Sequence, residues 1–168
     1  MKKILVILLS LVMLMCLFSA CGSKEESPEA PKVVNNEQTP VERELKKMAG
    51  TITKSELEAC YPAEYWVSNT MDDVWAKYEK NMKPQTAQYG ENVTCSFEVT
   101  ANAEVSAEEL EKIAGKLGVL YDIQPDAVEK ACKLSYTYRI AGSILAVDDS
   151  VQGVTVVRIH GQWYKYPF

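Results

Sequence analysis

The N-terminal segment constrains the fold most, because it divides the chain into a part expected to fold and a part that is not. Two lysines precede an apolar stretch, residues 4–18, which two small residues separate from Cys21. A membrane-spanning helix needs about 20 apolar residues, so this stretch is short for one, but it has the length of a secretory signal segment. The alternative is an uncleaved anchor in which Cys21 is an ordinary thiol. The polar residues after Cys21 favour cleavage, and we predict a signal peptide over residues 1–20.

The run Leu17-Phe18-Ser19-Ala20-Cys21 resembles the signal of bacterial lipoproteins, in which a cysteine after small residues receives a diacylglycerol and becomes the mature N-terminus. Phe18 stands where that family more often has an aliphatic residue. The resemblance implies lipidation of Cys21 with fatty acyl chains such as palmitate. Two acyl chains give lasting attachment, since each buried methylene contributes about 0.8 kcal/mol. We therefore expect a lipoprotein anchored on the extracytoplasmic face of the cell membrane.

The residues after Cys21 are polar and charged and have little apolar surface to bury. Such a composition does not offset the entropy of folding, so residues 21–48 are expected to be the lipidated cysteine and a disordered linker. Residues 41–48 have the pattern of a short helix at the domain edge. Residues 49–168, about 120 in number, then form one domain of ordinary size.

The charge of the mature chain limits its partners. Without the two lysines of the signal segment, 16 basic residues stand against 23 acidic ones, a formal charge of −7. Nucleic-acid binding needs clustered basic groups, so no nucleic-acid partner is expected. The membrane is a partner through the lipid on Cys21 and not through charge.

Apolar residues at helical spacing predict helices in the first half of the domain. A capping box at Thr53–Glu56 begins a short helix that Pro62 interrupts. The strongest amphipathic pattern follows, and we expect its apolar face to pack on the sheet. That face consists of Met71, Val74, Trp75, Tyr78 and Met82.

Two more helices are predicted between the strands. Ser106–Glu109 is a second capping box, and the helix that it begins is expected to end at Gly118. Pro125 is expected to begin a further short helix that includes Cys132.

Residues that alternate between apolar and polar predict strands. The clearest are residues 93–100 and 134–140, and others are expected at 143–148, 153–159 and 162–166. Asp148 to Gly153 has the composition of a turn, and so has His160-Gly161. The order of elements predicts an α+β domain, with helices packed on one side of a curved antiparallel sheet.

The closing hairpin, Val154 to Tyr164 with its Gly-Gln-Trp-Tyr ending, and the early helices resemble exported lipoproteins of the nuclear-transport-factor-two-like (cystatin-like) superfamily. The resemblance covers residues 49–168 and implies a sheet curled into a cone whose mouth can hold a small ligand or a partner. The chain departs from that family in the predicted pair of helices between Ser106 and Cys132.

Sequence signals for catalysis are few. The single histidine, His160, lies in a predicted turn without a second imidazole or an obvious Asp to orient it. The chain has no phosphate-binding glycine loop, no nucleophile elbow and no zinc-protease motif. Glu98 lies on a polar strand face. We predict no catalytic residue, no cofactor and no metal.

Three cysteines remain in the domain: Cys60, Cys95 and Cys132. Each lies in an apolar stripe, and their wide spacing is not that of a metal site. Three buried thiols are favoured over one disulfide plus a free thiol, and both remain open at this point.

Large aromatic residues are the best candidates for a binding site, because rings with a polar tip often line cavities. Trp75 and Tyr78 from the amphipathic helix would face Tyr138 and Trp163 from the sheet, although such stripes also occur as ordinary core. The sequence therefore predicts a non-catalytic binding or accessory module of the cell envelope, with an unknown protein or small-molecule partner. The alternatives are an envelope enzyme with a carboxylate in the cone and a structural lipoprotein without a ligand.

Overall fold

The structure, a computed structural model, describes residues 36–168. In this part of the chain, five α-helices pack against a four-stranded antiparallel sheet, which confirms the α+β class. The helices are α1 (Thr39–Ala49), α2 (Lys54–Glu58), α3 (Met71–Asn81), α4 (Lys83–Thr86) and α5 (Ala107–Tyr121). The strands are β1 (Thr94–Glu104), β2 (Val128–Ala141), β3 (Ala146–Ile159) and β4 (Gln162–Tyr166). Short 3-10 helices span Ala63–Val67, Ala87–Tyr89 and Pro125–Ala127.

The strands follow one another across the sheet in the order β1-β2-β3-β4, and α5 connects β1 to β2. The alternation predicted for β2 is confirmed, because Leu134, Tyr136, Tyr138 and Ile140 are all buried. The side chains between them are exposed or half-buried. Consecutive strand residues point to opposite faces, so this alternation gives β2 one apolar face between Leu134 and Ile140.

Helix α1 covers that apolar face. Val41, Leu45 and Ala49 are buried in one core with residues of β2, β3 and β4. Gly50 ends the helix in the left-handed conformation, with φ of 75°, and its N–H bonds to the carbonyls of the last turn. The folded unit therefore includes residues before 49, the predicted domain boundary, and the short helix predicted at the domain edge is a central part of the core.

Helix α5 packs on the opposite face at one end of the sheet. Ala131 and Val157 belong to the core under α5, whereas their chain neighbours Cys132 and Val156 belong to the core under α1. The capping serine Ser106 accepts a hydrogen bond from the N–H of Glu109 at 3.2 Å, which is the serine half of the predicted capping box. The helices thus lie on both faces of the sheet, and the expectation that they gather on one side is wrong.

Helices α2 and α3 form a separate cap beside α1. The predicted capping box of α2 is present, and Leu57, Val74 and Tyr78 are buried together with Ile52. The apolar face of α3 packs on α2 and the residues next to it, and not on the sheet. The residues predicted for the apolar face of α3 are therefore correct, but the element on which this face packs is not the predicted one. Short neighbouring helices supply the apolar surface that the sheet was expected to supply.

A chain of aromatic rings joins the cap to the rest of the domain. Tyr61 stacks on Tyr65 with ring centroids 4.2 Å apart, and Tyr65 meets Tyr121 at 5.9 Å. Tyr121 then meets Phe168 at 5.2 Å, and Phe168 meets Tyr164 at 5.9 Å. These contacts fix the cap against the end of α5 and the C-terminal residues.

Two local predictions were wrong around β2 and β3. Pro125 begins only a single 3-10 turn, and strand β2 starts at Val128, so the second helix of the predicted pair does not form. Asp148 to Gly153 lies inside β3, where the register against β2 shifts and Gly153 has φ of 65°. A bulge with glycine in the left-handed region has the composition of a turn, which explains the second error.

Helix α5 also continues past Gly118 to Tyr121 and ends at Asp122 in the left-handed conformation. The predicted signal peptide, Cys21 and most of the predicted linker lie outside the described residues. No helix among the described residues is long and apolar enough to cross a membrane.

Candidate functional site

The structure does not bring the four predicted pocket residues together. Trp75 and Tyr78 contact each other within the helical cap, with ring centroids 5.2 Å apart. Tyr138 and Trp163 are buried in the core under α1. The two pairs belong to different clusters because α3 packs on α2 and not on the sheet. Each pair therefore packs within its own apolar cluster.

The cavity beside Trp163 is small. It lies between α1, Tyr61 and the C-terminal residues and has a volume of about 50 Å³. Ligand pockets usually measure roughly 300–1,000 Å³, whereas a few tens of Å³ hold only one or two waters. This cavity is therefore a packing gap near Trp163 and has no room for a small-molecule ligand.

An ion-pair network closes the wall of that cavity. The Glu44 carboxylate lies 2.8 Å from the Lys47 ammonium and 3.0 Å from that of Lys165. Burial alone would raise the pKa of Glu44, but the two ammonium groups outweigh it and hold the pKa below its usual value. Burial would lower the pKa of Lys47, and Glu44 overcomes this and raises it. Both groups stay charged near neutrality, and the contact of Glu44 with Lys165 ties α1 to β4.

Cys60 lines the same cavity. Burial raises the pKa of its thiol to about 11, and the thiol donates to the carbonyl of Glu56 at 3.3 Å. The nucleophilic form of cysteine is the thiolate, so this thiol is unreactive at neutral pH. Cys95 and Cys132 are also thiols with raised pKa values, again mainly because of burial. The structure thus has three free cysteines in the described part of the domain.

The second face of the sheet carries a shallow polar depression of about 450 Å³. It is formed by three consecutive residues from each of three neighbouring strands, which lie in register. The rows are Ser96, Arg139 and Asp148; Phe97, Tyr138 and Asp149; and Glu98, Thr137 and Ser150. We call this surface the sheet tray.

The alternation of strands explains the construction of the sheet tray. The side chains of Phe97 and Tyr138 point to the core under α1, so their backbone forms the floor. The first and third rows point the other way, and all six of their side chains are exposed. The Arg139 guanidinium is paired with the Asp148 carboxylate across the strands. The sheet tray therefore presents hydroxyls, carboxylates and one guanidinium on a rigid backbone.

The six exposed side chains form the rim of the sheet tray, and four of them could be found from the sequence. The polar positions of β1 and β2 were correctly placed on the face opposite to the apolar residues. Asp148 and Ser150 were missed because the segment that ends at Gly153, where the strand has a bulge, has the composition of a turn. Alternation alone also does not tell which polar face a helix covers, and here α5 covers only the other end.

Asp149 is the carboxylate nearest the buried rings. The Tyr138 hydroxyl donates to Asp149 Oδ2 at 3.5 Å, a long hydrogen bond, and Asp149 itself is exposed. Burial, and after it the Asp149 charge, raises the pKa of Tyr138. At 3.5 Å the contact is at the long end of the hydrogen-bond range, so it holds the two groups together only weakly.

The structure gives His160 a partner that the sequence did not suggest. His160 lies in the β3–β4 turn as predicted, with φ of 49°, and its Nε2 is 2.7 Å from Oε1 of Glu64. Glu64 belongs to the first 3-10 helix and is 96 residues away in the chain. The pair connects the helical cap to the sheet.

Comparisons with known proteins add no further assignment: no family model, no curated protein and no solved structure matches this chain. Between residues 36 and 168, no group of three or more His, Cys, Asp or Glu side chains is placed to hold a metal ion.

Proposed function

We propose that this chain is a lipid-anchored binding or accessory module of the bacterial cell envelope that recognises a polar partner through the sheet tray and catalyses no reaction. In this proposal, Cys21 carries the lipid, the polar residues after it act as a tether, and the domain is held on the extracytoplasmic face of the membrane. The domain itself is proposed to be a divergent member of the nuclear-transport-factor-two-like group. Its antiparallel sheet with an attached helical cap is compatible with that group.

The sheet tray is the observation that supports the binding role. Its six exposed polar side chains stand on three hydrogen-bonded strands, so the backbone positions that carry them are fixed before a partner arrives. A fixed surface loses less conformational entropy on binding than a mobile one. The depression is too shallow to enclose a drug-sized molecule, which favours a protein surface or an extended glycan over a small metabolite.

The lipid anchor is tested by one substitution. Cys21→Ser is expected to abolish labelling with a clickable palmitate analogue and to leave the protein unprocessed or in the soluble fraction. Mature protein that stays in the membrane with an unmodified Cys21, as determined by mass spectrometry, would contradict the proposal.

The binding role is tested by photo-cross-linking in the producing cell. A photoreactive residue at Thr137, in the middle of the tray rim, is expected to give a discrete adduct with a protein or wall glycan. The matched control is the same residue at Lys77, which is exposed on α3 away from the sheet. The binding role is refuted if Thr137 and Lys77 give the same adducts, or none.

The enzyme alternative has its own test, because Asp149 and Tyr138 are the groups nearest to an acid–base pair. A hydrolytic activity of the purified protein on envelope glycans that Asp149→Asn abolishes, with the fold intact, would replace the binding proposal by an enzyme.

A further inference from the structure

Strand β1 forms one edge of the sheet and pairs only with β2 among the described strands. An edge strand leaves alternate backbone N–H and C=O groups free to pair with another chain. Proteins usually protect such an edge with lysine or proline, with a bulge, or by keeping the strand short.

The other edge and half of β1 have such protection. Strand β4 has only five residues, and the Lys165 ammonium on it is bound by Glu44 of α1. The C-terminal half of β1 follows a register shift between Val99 and Ala101. Residues 94–99 are different, because they form a regular strand without lysine or proline and have one charged side chain, Glu98.

The core side of this segment is incompletely covered. Val93, Cys95, Phe97 and Val99 all point toward α1, yet each is only half-buried. A groove of about 470 Å³ runs beside the strand between α1 and β1, and Leu45 is among its lining residues. An added strand would bring its own side chains into this groove.

We propose that residues 94–99 are a self-association edge, which pairs in antiparallel orientation with the same segment of a second copy of the chain. The sheets of the two copies would then be continuous. This inference goes beyond the proposed function and does not depend on the lipid anchor.

The sequence of the segment matches itself when it pairs in this way. A two-fold axis at Phe97 places Glu98 opposite Ser96 of the second copy, and an axis at Ser96 places Glu98 opposite Thr94. In both registers, the carboxylate meets a hydroxyl and not another carboxylate, and like charges directly opposite would be destabilising.

The apolar side matches as well. Antiparallel pairing keeps side chains of equal parity on one face, so the half-buried row of each copy extends the row of the other. The half-buried row of one copy would then cover the groove between α1 and β1 of the other copy. A second copy therefore completes the apolar face of the edge, which an arbitrary extended peptide would do only with apolar residues at alternate positions.

Self-association would also enlarge the sheet tray. Ser96 and Glu98 belong to its rim, so two paired β1 strands place the trays of both copies side by side on one surface.

Two matched valines test the proposal. Val99 and Val147 are both half-buried in the core under α1, but Val99 lies on the edge strand and Val147 on β3. In analytical ultracentrifugation of the full chain purified in detergent, Val99→Lys is expected to weaken dimerisation by about tenfold or more, and Val147→Lys by much less. A monomeric wild-type protein, or equal effects of both substitutions, would overturn the proposal.

Cysteine cross-linking in membranes tests the geometry independently of folding losses, because it uses exposed positions. Ser96→Cys and Glu98→Cys, alone or co-expressed, are expected to give a disulfide-linked dimer that Thr137→Cys, on central strand β2, does not give. The native cysteines are present in every variant, so the Thr137 variant measures their background. No dimer above that background, or an adduct only with a different protein, would refute self-association.

Discussion

Leu45 provides the most direct test of where the folded domain begins. This residue lies within the segment that the sequence assigned to a linker, but the structure buries its side chain completely, at 0 % exposure, in the core under α1. If the segment were a linker, Leu45→Ala would leave the stability of the domain unchanged. If α1 is part of the core, the same substitution must create a cavity.

The expected loss follows from the burial of the side chain. Leu45→Ala removes three carbon atoms from the core, and each buried methylene contributes about 0.8 kcal/mol, so the transfer contribution is about 2.4 kcal/mol. The remaining cavity adds to this, and measured Leu→Ala losses of 2.7–5 kcal/mol in another protein include it. We therefore expect the free energy of unfolding to fall by about 3–4 kcal/mol, a large part of the total of a small domain.

The assay is equilibrium unfolding in urea, followed by tryptophan fluorescence, since Trp163 is buried in the same core. The slope of the transition should stay constant while its midpoint falls. Leu120→Ala is the matched control, because Leu120 is 62 % exposed on α5 and its truncation should change stability by no more than about 0.5 kcal/mol. A loss below about 1 kcal/mol for Leu45→Ala would show that α1 is not part of the core.

The remaining predictions concern titrating groups and glycines. Burial raises the pKa of Cys60 to about 11 in the folded state, so the thiol ionises at a lower pH in the unfolded chain than in the folded domain. The free energy of unfolding is therefore expected to fall as the pH rises above about 9, and Cys60→Ala should remove part of that fall. Iodoacetamide at pH 8 should alkylate Cys60 far more slowly in the native protein than in urea, as mass spectrometry can measure. The pKa of Glu44 is lowered in the folded state, so its ion pairs contribute fully to the free energy of unfolding above the usual pKa of about 4.5, and this contribution is lost as the pH falls further. The stability of Glu44→Gln should therefore decrease less between neutral and acidic pH than that of the wild type. Gly142→Ala would place a methyl group 2.2 Å from the carbonyl oxygen of Tyr89 and should lower the melting temperature, whereas Gly115→Ala meets nothing within 4 Å in α5 and should stabilise the domain by up to about 1 kcal/mol.

Local patterns in the sequence sufficed for most elements. Helices α2 and α5 were predicted from their capping residues, since the hydrogen bonds of a cap form within four consecutive residues. The buried face of β2 was predicted from alternation, which depends only on the pleat of the strand. The turn at His160 was predicted from its glycine neighbour, which is also a local signal.

The errors occur where a local pattern has two physical solutions. Asp148 to Gly153 has turn composition, but pairing of β3 along all of β2 makes it part of a strand, with a bulge near Gly153. Pro125 suits the start of a helix, but the residues after it continue into β2, where Val128 and Ala131 are buried under α5. In both cases long-range pairing outweighed local preference.

The sequence by itself determined the class of the domain, the apolar and polar faces of its strands, the polarity of the segment after Cys21 and the predicted lipid signal. These are local properties, fixed by the spacing and chemistry of neighbouring residues. Only the tertiary structure decided that α1 belongs to the core, that α3 packs on the helical cap, and that the rim residues of the sheet tray stay uncovered. The physical reason is that an amphipathic pattern specifies which face of an element is buried but not which other element buries it, because hydrophobic burial is non-directional.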